Sequence, residues 1–322
     1  MARRLILVIM MAAFFSVALL AGVSPVSAQD GPAKVQVGAY ILRIANISQK
    51  DGSFDVDMWL WFRWQGDLKP YESFEIANGR IENRSEAVVS EDGDSHYTSI
   101  RVQASVFHDY DVRRFPIDNH VVTIEIEDEN SDASMLQYVV DDGIALDPGL
   151  NAPGWKVALS PARIEGHVYP TNYGLRSSGS ASSEYSRFIL PVSLDRVSVG
   201  ILFKGFWIAA LSVLLSLLAF RVKATDLDAR FGLGVGSIFA ASANAFVIAD
   251  SLPATTVITL AEQINFLAIG TIFLAVFVSV ASLRLCYRGK EEASERLDLW
   301  ALILIGGAYI AANAWIIGWH VG

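Results

Sequence analysis

The spacing of hydrophobic residues divides the chain into two halves. Between residues 29 and 198, apolar and polar residues alternate in short runs separated by turn residues, which is typical of half-buried β-strands. From residue 199 onward the alternation gives way to four nearly continuous apolar segments, each close to the ~20 residues that a helix needs to cross a bilayer. The sequence therefore predicts an all-β domain followed by an all-α, four-helix transmembrane domain at 199–322.

The predicted strands of the first half are short and numerous. Many short strands at this spacing favour an immunoglobulin-like sandwich of two sheets. They cover residues 35–44, 54–64, 98–107, 120–126, 155–159, 163–168 and 185–194. A Ser/Gly-rich stretch at 177–183 interrupts the pattern and is typical of a flexible hairpin tip.

The four apolar segments also predict an orientation. They cover residues 199–220, 229–249, 264–283 and 299–319. Lys and Arg residues lie in the connections after the first and third segments, whereas the second connection and the C-terminal tail contain none. Because basic loops stay in the cytoplasm, we expect the β domain and the C-terminus on the outer side.

The N-terminus resembles an export signal. Arg3 and Arg4 precede an apolar run, and small residues follow at 26–28. This pattern predicts a signal peptide over residues 1–28, with a first transmembrane anchor as the alternative. Export of the β domain agrees with the orientation that the basic loops predict.

Composition narrows the class of protein and of partner. The chain has 322 residues, 52% of them hydrophobic, and its mean hydropathy of +0.37 is high for a soluble protein. Cys286 is the only cysteine, so an intrachain disulfide is excluded. Residues 29–198 carry 26 acidic and 15 basic side chains, a net charge of −11. That charge argues against nucleic acid or anionic lipid as a partner of the domain and attracts cations.

The second apolar segment differs from an ordinary lipid-facing helix. It contains three glycines together with Ser237, Ser242 and Asn244, and it has an aspartate at each end. On a helix, steps of three and four residues bring one set of side chains onto a single face. That set is Asp228, Gly232, Gly236, Phe239, Ala243, Phe246 and Asp250. Small and acidic residues on one face favour the lining of a water-filled pore.

Residues 108–118, HDYDVRRFPID, carry a resemblance to a known family. They resemble the signature loop of the pentameric ligand-gated ion channels, the Cys-loop receptor superfamily, which has Phe-Pro-Phe-Asp at this point. His108 and Val122 stand where the animal members have two cysteines. The segment is therefore similar to the bacterial branch, which lacks the loop disulfide.

Other landmarks of this family occur in the same order. Trp59 and Trp64 resemble its paired tryptophans on the second strand, and Arg196 resembles its arginine before the first span. Residues 251–253 and 260–262 are similar to its linker between the second and third helices. The chain departs from the family pattern in lacking a proline in the first span and the tryptophan–proline–aspartate signature.

The resemblance implies a homopentamer in the inner membrane of a bacterium, with the second segment of each subunit lining a central pore. Asp228 would lie near the inner charged ring, and Phe239 and Phe246 would form an apolar constriction. Rings of carboxylates favour permeant inorganic cations. The alternatives are that Asp228 and Asp250 are ordinary helix-end charges and that Phe239 packs on a neighbouring helix. A shift of the pore register by one residue would favour the packing role of Phe239.

The resemblance also implies that three loops meet at the domain boundary. Its gating residues here are Asp51, Arg114, Phe115, Pro116, Asp118, Arg196 and Pro253. Asp51 and Asp118 are candidate partners of Arg196 in a charge-assisted pair. The alternative is that these are ordinary turn residues.

By the same resemblance an agonist would bind in a box of aromatic residues. The candidates are Trp59, Tyr169, Tyr173 and Tyr185, with Tyr138 and Trp155 as further candidates. An aromatic box suits a small cationic amine, whereas strand packing is the alternative role of each residue.

Two acidic clusters offer a second kind of trigger. They are Glu125, Glu127, Asp128 and Glu129, and Glu91, Asp92 and Asp94. Such clusters bind calcium or titrate together, or they form solvated surface. Amine, proton and calcium control therefore all stay open at this point.

The sequence contains no catalytic constellation, and we expect neither an enzyme nor an organic cofactor. The predicted function is a ligand-gated, cation-selective ion channel opened by an extracellular stimulus. The alternative is a non-conducting periplasmic solute receptor or scaffold anchored by four helices.

Overall fold

The computed structural model describes residues 31–174 and 182–321. The predicted signal peptide, and residues 177–181 of the predicted hairpin tip, lie outside the described residues. Within them, a β-rich domain with two sheets precedes four long helices. β12 ends at Arg196 and α1 begins at Ser198, so the change of pattern in the sequence marks the change of structure.

The strands are β1 Ala33–Ser48, β2 Ser53–Gln65, β3 Phe74–Ile76, β4 Gly79–Arg84, β5 Val88–Asp92, β6 Ser95–Phe107, β7 Asn119–Asp128, β8 Leu136–Val140, β9 Ala145–Leu146, β10 Trp155–Leu159, β11 Arg163–Tyr169 and β12 Ser183–Arg196. The helices are α1 Ser198–Leu218, α2 Leu227–Asp250, α3 Leu260–Tyr287 and α4 Glu291–Val321. A short helical turn at Pro70–Ser73 and 3-10 turns at Val112–Arg114 and Ala219–Arg221 connect them.

The strands form a seven-stranded and a five-stranded sheet. The first has the order β4-β6-β2-β1-β8, with β5 also on β6 and β9 also on β1. The second has the order β10-β12-β7-β3, with β11 also on β12. Each predicted strand is present, and the structure adds β3, β4, β5, β8 and β9. The sequence did not reveal these five because they are short or mostly exposed and carry little alternation.

The inner faces of the two sheets share one hydrophobic core. On β2, every second residue from Phe54 to Phe62 is buried. Phe188 and Leu190 on β12 and Ile124 on β7 join the same cluster from the other sheet. Each fully buried side chain of this kind contributes roughly 1.5–3 kcal/mol to the free energy of folding. The alternating pattern therefore decides which face of each strand is buried.

Three of the helices are long and apolar enough to cross a membrane. They are Leu227–Asp250, Leu260–Tyr287 and Glu291–His320, which identify the chain as a membrane protein with three candidate spans. α1 has 21 residues, and the apolar helical stretch Phe206–Arg221, which includes its C-terminal part, is shorter than the other three. The first predicted span therefore coincides with α1, but that α1 crosses the membrane stays a prediction.

Residue types at the helix ends explain where α2 and α3 stop and start. Asp226 caps α2 by accepting a hydrogen bond from the Ala229 N–H at 3.3 Å. Thr259 and Glu262 form a reciprocal capping box at the start of α3. Pro253, three residues beyond the end of α2, cannot continue the helix.

A buried ion pair ties α2 to α4. Arg230 is 5% exposed, and its guanidinium donates to the Asp298 carboxylate on α4. The same guanidinium donates to the Val222 carbonyl from Nε at 3.0 Å and from Nη2 at 2.6 Å. Removing one partner of such a pair leaves an uncompensated charge in a dry site, which costs far more than removing both.

We therefore predict that Arg230→Met lowers the free energy of unfolding by about 3–5 kcal/mol, because Asp298 stays buried without its partner. The double variant Arg230→Met, Asp298→Leu should recover most of that loss. Thermal unfolding of the detergent-solubilised protein would measure both. If the double variant were as unstable as the single one, the ion pair would not be the link that orders α2 and α4.

Candidate functional site

All seven residues predicted to line a pore lie on the exposed side of α2. They are Asp228, Gly232, Gly236, Phe239, Ala243, Phe246 and Asp250. The buried residues of α2, by contrast, are Arg230, Gly234, Ser237, Ala241, Asn244 and Ile248. The two sets each advance by steps of three and four residues and lie on opposite sides of the helix. α2 thus buries one face in the bundle and leaves the other free.

The exposed face of α2 combines bulky, small and acidic residues. Phe239 is 72% exposed and Phe246 is 76% exposed, each separated by one turn from a glycine or alanine. Asp228 lies in the first turn, where the positive end of the helix dipole favours a carboxylate. Repeated around an axis, such faces would form acidic ends and two apolar constrictions.

Ser237 and Asn244 do not lie on this exposed face, although their polar side chains are part of the sequence pattern that favours a pore. The Ser237 hydroxyl donates to the Leu233 carbonyl at 2.7 Å. The Asn244 amide donates to the Asn265 side chain of α3 at 3.1 Å. These buried polar residues contribute to helix packing. Steps of three and four residues lead from Arg230 to both of them, and this spacing is the signal that places them on the buried face.

Close packing of α2 on α3 depends on Gly234. A Cβ at that position would lie 2.8 Å from Cγ2 of Val276, which is tighter than a normal contact. Gly232 and Gly236 have no atoms within 4 Å of such a Cβ. The three glycines therefore differ: one is required by the bundle, and two open the exposed face.

Asp250, at the C-terminal end of the exposed face, has a partner that sequence reasoning missed. The ammonium group of Lys50, in the turn between β1 and β2, lies 2.6 Å from the Asp250 carboxylate. Both side chains are substantially exposed, so the pair is screened by solvent. It joins the two-sheet domain to α2 and offsets the negative charge at this end of the helix.

Arg196 lies at the centre of the domain boundary. Its Nε donates to Asp118 at 2.7 Å, and its Nη2 donates to the Gln49 side chain at 2.9 Å. The guanidinium carbon also lies 4.1 Å from the centroid of a ring of Trp155 and 5.2 Å from that of Phe115. Salt bridge, hydrogen bond and aromatic stacking together hold one orientation of the arginine.

Asp118 is the buried anion of this boundary cluster, with 2% exposure. His120 Nε2 lies 2.6 Å from its carboxylate, and Gln49 also donates to it. Burial alone would raise the pKa of Asp118, but the hydrogen bonds from His120 and Arg196 outweigh it and lower the pKa to about 2.

Of the two candidate partners of Arg196, the structure brings it to Asp118 and not to Asp51. Asp51 instead accepts a hydrogen bond from the Ser48 hydroxyl at 2.6 Å and closes its own turn. Arg114 is exposed at the tip of the signature loop, and Pro116 beside it is buried.

The signature loop bonds directly to the helices. The backbone N–H of Ala261, in the first turn of α3, donates to the Phe115 carbonyl at 3.1 Å. That N–H has no acceptor within its own helix, so the loop satisfies it. Val112 of the loop packs with Ile248 and Leu252 at the C-terminal end of α2. One loop therefore contacts both α2 and α3.

The three tyrosines predicted to bind a ligand lie together, whereas Trp59 does not join them. The ring centroid of Tyr169 lies 5.7 Å from that of Tyr185 and 5.9 Å from that of Tyr173, which is 61% exposed. Trp59 lies on β2 in the other sheet. The structure therefore places Trp59 and the three tyrosines on different sheets.

The two further aromatic candidates have other surroundings. Trp155 stacks on Arg196 and lies at the domain boundary rather than with the tyrosines. Tyr138 is buried in the core of the β domain. Tyr138 is 3% exposed and cannot contact a ligand in this arrangement, whereas Trp155 is half-buried beside Arg196.

An arginine lies within the acidic cluster next to the tyrosines. Arg187 donates to Glu127 at 2.6 Å and to Glu125 at 2.5 Å, and its Nη2 donates to the Tyr169 hydroxyl at 2.9 Å. Asp128 accepts hydrogen bonds from its own turn, including Ser131 N–H at 2.8 Å. Among residues 31–174 and 182–321, no three His, Cys, Asp or Glu side chains are grouped to hold a metal ion.

Glu75 is the one carboxyl group near this cluster whose pKa is raised. Burial raises it first, and the charges of Glu129 and Glu127 raise it further. Glu127 and Glu129 belong to the first predicted acidic cluster.

The second predicted acidic cluster lies on the surface, since Glu91 and Asp92 are exposed residues of β5.

The described residues thus form three groups: the exposed face of α2, the boundary cluster around Arg196, and the tyrosine cluster with Arg187. No protein-family model matches the chain, and no curated protein is significantly similar to it. Function is therefore inferred from the chemistry of these three groups.

We predict that Arg196→Ala destabilises the protein by about 3 kcal/mol at pH 7, because Asp118 stays buried without its guanidinium partner. The depressed pKa of Asp118 contributes stability that is full above its ordinary value of 3.8 and is lost as pH falls through about 2. Loss of Arg196 raises that pKa, so the variant has less of this stability to lose in acid, and its stability should change less than that of the native protein as pH falls from 3.8 to about 2. Thermal unfolding midpoints measured at a series of pH values would show the flatter profile.

Arg114→Ala is the matched control, since Arg114 is exposed on the same loop. It should leave the pH profile of unfolding unchanged. Superimposable profiles for Arg196→Ala and the native protein would contradict the role assigned to the boundary pair.

Proposed function

We propose that this chain is one subunit of a bacterial pentameric ligand-gated ion channel, resembling the Cys-loop receptor superfamily, and that the exposed face of α2 lines a cation-conducting pore. The observation that carries the proposal is the division of α2 into a buried face and an exposed face of small, apolar and acidic residues. A helix exposed to lipid alone gains nothing from Gly232, Gly236 and two terminal aspartates.

Five such faces around an axis give the pore its chemistry. Asp228 forms an acidic ring at one end, which attracts cations and repels anions. Phe239 and Phe246 narrow the pore with apolar rings that close it by excluding water. Lys50 balances the Asp250 ring within each subunit, so selectivity depends mainly on Asp228.

The two-sheet domain, in this proposal an immunoglobulin-like sandwich outside the cytoplasm, receives the stimulus. Its signature loop contacts the C-terminal end of α2 and the N-terminal end of α3. Arg196 and Asp118 fix that loop to the last strand of the domain, which continues into α1. A movement of the sheets therefore reaches the pore helix through direct bonds, as in other two-state switches.

The tyrosine cluster supports a small cationic amine as the stimulus. The rings of Tyr173 and Tyr185 each lie within 6 Å of the Tyr169 ring, beside a carboxylate cluster, and Tyr173 is open to solvent. Glu75, whose pKa is raised, supports protons as a second class of stimulus. For calcium the support is weaker, because Glu125 and Glu127 are already paired with Arg187.

The test of the proposed function is the selectivity of current through the purified protein in a planar bilayer. Asp228→Lys should lower the cation-to-anion permeability ratio by about tenfold or more, since one unit charge at ~4 Å contributes about 1 kcal/mol even in water. The shift in reversal potential under a salt gradient measures it. An unchanged reversal potential would contradict the placement of Asp228 in the pore.

Asp226→Ser is the matched control, because it removes a neighbouring charge at the same helix end and keeps a capping oxygen. It should leave selectivity unchanged, and Asp250→Asn should change it less than Asp228→Asn does. Assembled protein that binds an amine but never conducts would instead favour a non-conducting periplasmic receptor.

A further inference from the structure

The turn between β1 and β2 places one ammonium group at the C-terminal end of α2. The Nζ of Lys50 lies 2.6 Å from the Asp250 carboxylate, and the two side chains are 50% and 82% exposed. The contact joins residues of two domains that lie 200 positions apart in the chain. Its role depends on whether Asp250 needs a counter-ion and whether the turn needs Lys50 for its fold.

Asp250 lies at the end of a helix where a carboxylate is least favoured. The C-terminal end carries the negative end of the helix dipole, which repels an anion. The last turn of α2 has no basic residue, and none occurs in the connection at 251–259. Among the described residues, Lys50 is the only basic side chain that forms an ion pair with Asp250. The cation that α2 lacks at this end is therefore supplied by the other domain.

Contacts of its neighbours hold the turn in place without Lys50. Gln49, which is 6% exposed, accepts a hydrogen bond from Arg196 at 2.9 Å and anchors the turn in the buried boundary cluster. The Gly52 N–H donates to the Gln49 carbonyl at 3.4 Å, and the His108 N–H donates to the Gly52 carbonyl at 2.8 Å. An exposed ion pair adds little to stability. The contribution of Lys50 is therefore its charge at the end of α2.

The cavity beside this pair has more negative than positive charge in its wall. Its volume of about 640 Å³ is large enough for hydrated ions, since one water takes ~30 Å³. The charged wall residues are Asp51, Asp55, Asp250, Lys50 and Arg196. The charge of Arg196 is neutralised by Asp118, whereas Asp51 and Asp55 accept hydrogen bonds from neutral side chains. Three carboxylates therefore share the single ammonium group of Lys50.

We infer that Lys50 is a tethered counter-ion of Asp250, which lowers the attraction of this end of α2 for solution cations. The ammonium group occupies the carboxylate that a mobile cation would otherwise approach. Because the pair is exposed, solution cations compete with it, and its effect falls as the salt concentration rises. The consequence for conduction rests on the proposed function: in a pore lined by α2, Lys50 limits the entry of cations from the side of the β domain.

The test measures the local potential and does not require a current. The full chain with Cys286→Ser and Ser251→Cys is placed in phosphatidylcholine nanodiscs, because Ser251 is exposed beside Asp250. The quantity is the ratio of the rates at which a cationic and an anionic methanethiosulfonate modify the thiol. Lys50→Gln should raise this ratio about fivefold at 0.01 M salt, where the Debye length is ~30 Å, and by less than about twofold at 1 M, where it is ~3 Å. Lys50→Glu should raise it further.

Two further variants separate a tethered counter-ion from a general change of surface charge. Lys69→Gln removes the same charge from the exposed pair Lys69–Glu72, beyond the far end of β2, and should leave the ratio unchanged. When Asp250→Asn is also present, Lys50→Gln should change the ratio much less, because the ammonium group is no longer held beside the thiol. An unchanged ratio in Lys50→Gln, or an equal effect with and without Asp250→Asn, would overturn the inference.

Currents through the same variants separate this inference from the proposed function. In a conducting pore, Lys50→Gln should raise the conductance for cations that enter from the β-domain side about twofold at 0.01 M salt, with no change at 1 M. A raised rate ratio in assembled protein that never conducts would support the tethered counter-ion and contradict the pore. A raised ratio with an unchanged conductance would overturn the role of Lys50 in cation entry.

Discussion

The structure depends most on how α2 divides its side chains between two environments. A membrane bundle must satisfy its polar groups internally, so Arg230, Ser237 and Asn244 face inward and find partners on neighbouring turns and helices. The residues left exposed are glycine, alanine, phenylalanine and aspartate, together with Leu227 and Val247. The opposite face is free to meet water, lipid or another copy of the chain. The proposed pore gives both of its aspartates and its small residues a use.

The two-sheet domain matters to α2 because only a few bonds cross the boundary. Phe115 bonds to α3, Val112 packs on the end of α2, and Lys50 pairs with Asp250. Arg196 and Asp118 hold the loop that makes two of these contacts. The contacts around Arg196 at the buried centre of the boundary are therefore strong, and the exposed Lys50–Asp250 pair at its rim is weak. A stimulus that shifts the sheets would be transmitted at the centre, whereas the rim pair would adjust with little cost.

The sequence predicted the elements whose hydrophobic residues recur with a clear period. It did not predict short strands or contacts between residues far apart in the chain. Alternation predicts the long strands, and steps of three and four residues predict the residues that share the exposed face of α2. The short strands β3 to β5 carry too few buried residues to leave a pattern. The Lys50–Asp250 and Arg187–Glu127 pairs join residues far apart in the chain, so no local pattern contains them. The opposite use of Gly234 and Gly236 appears only when α3 is placed beside α2.

Accessibility of single cysteines along α2 tests the central claim most directly, since Cys286→Ser gives a background free of cysteine. The measurement is the current before and after a charged thiol reagent is added. Modification of Gly236→Cys or Ala243→Cys should block the current, because both positions lie on the exposed face. Ser237→Cys and Ala241→Cys, which face the bundle, should be unaffected. Block at the buried positions with none at the exposed ones would contradict the pore assigned to α2.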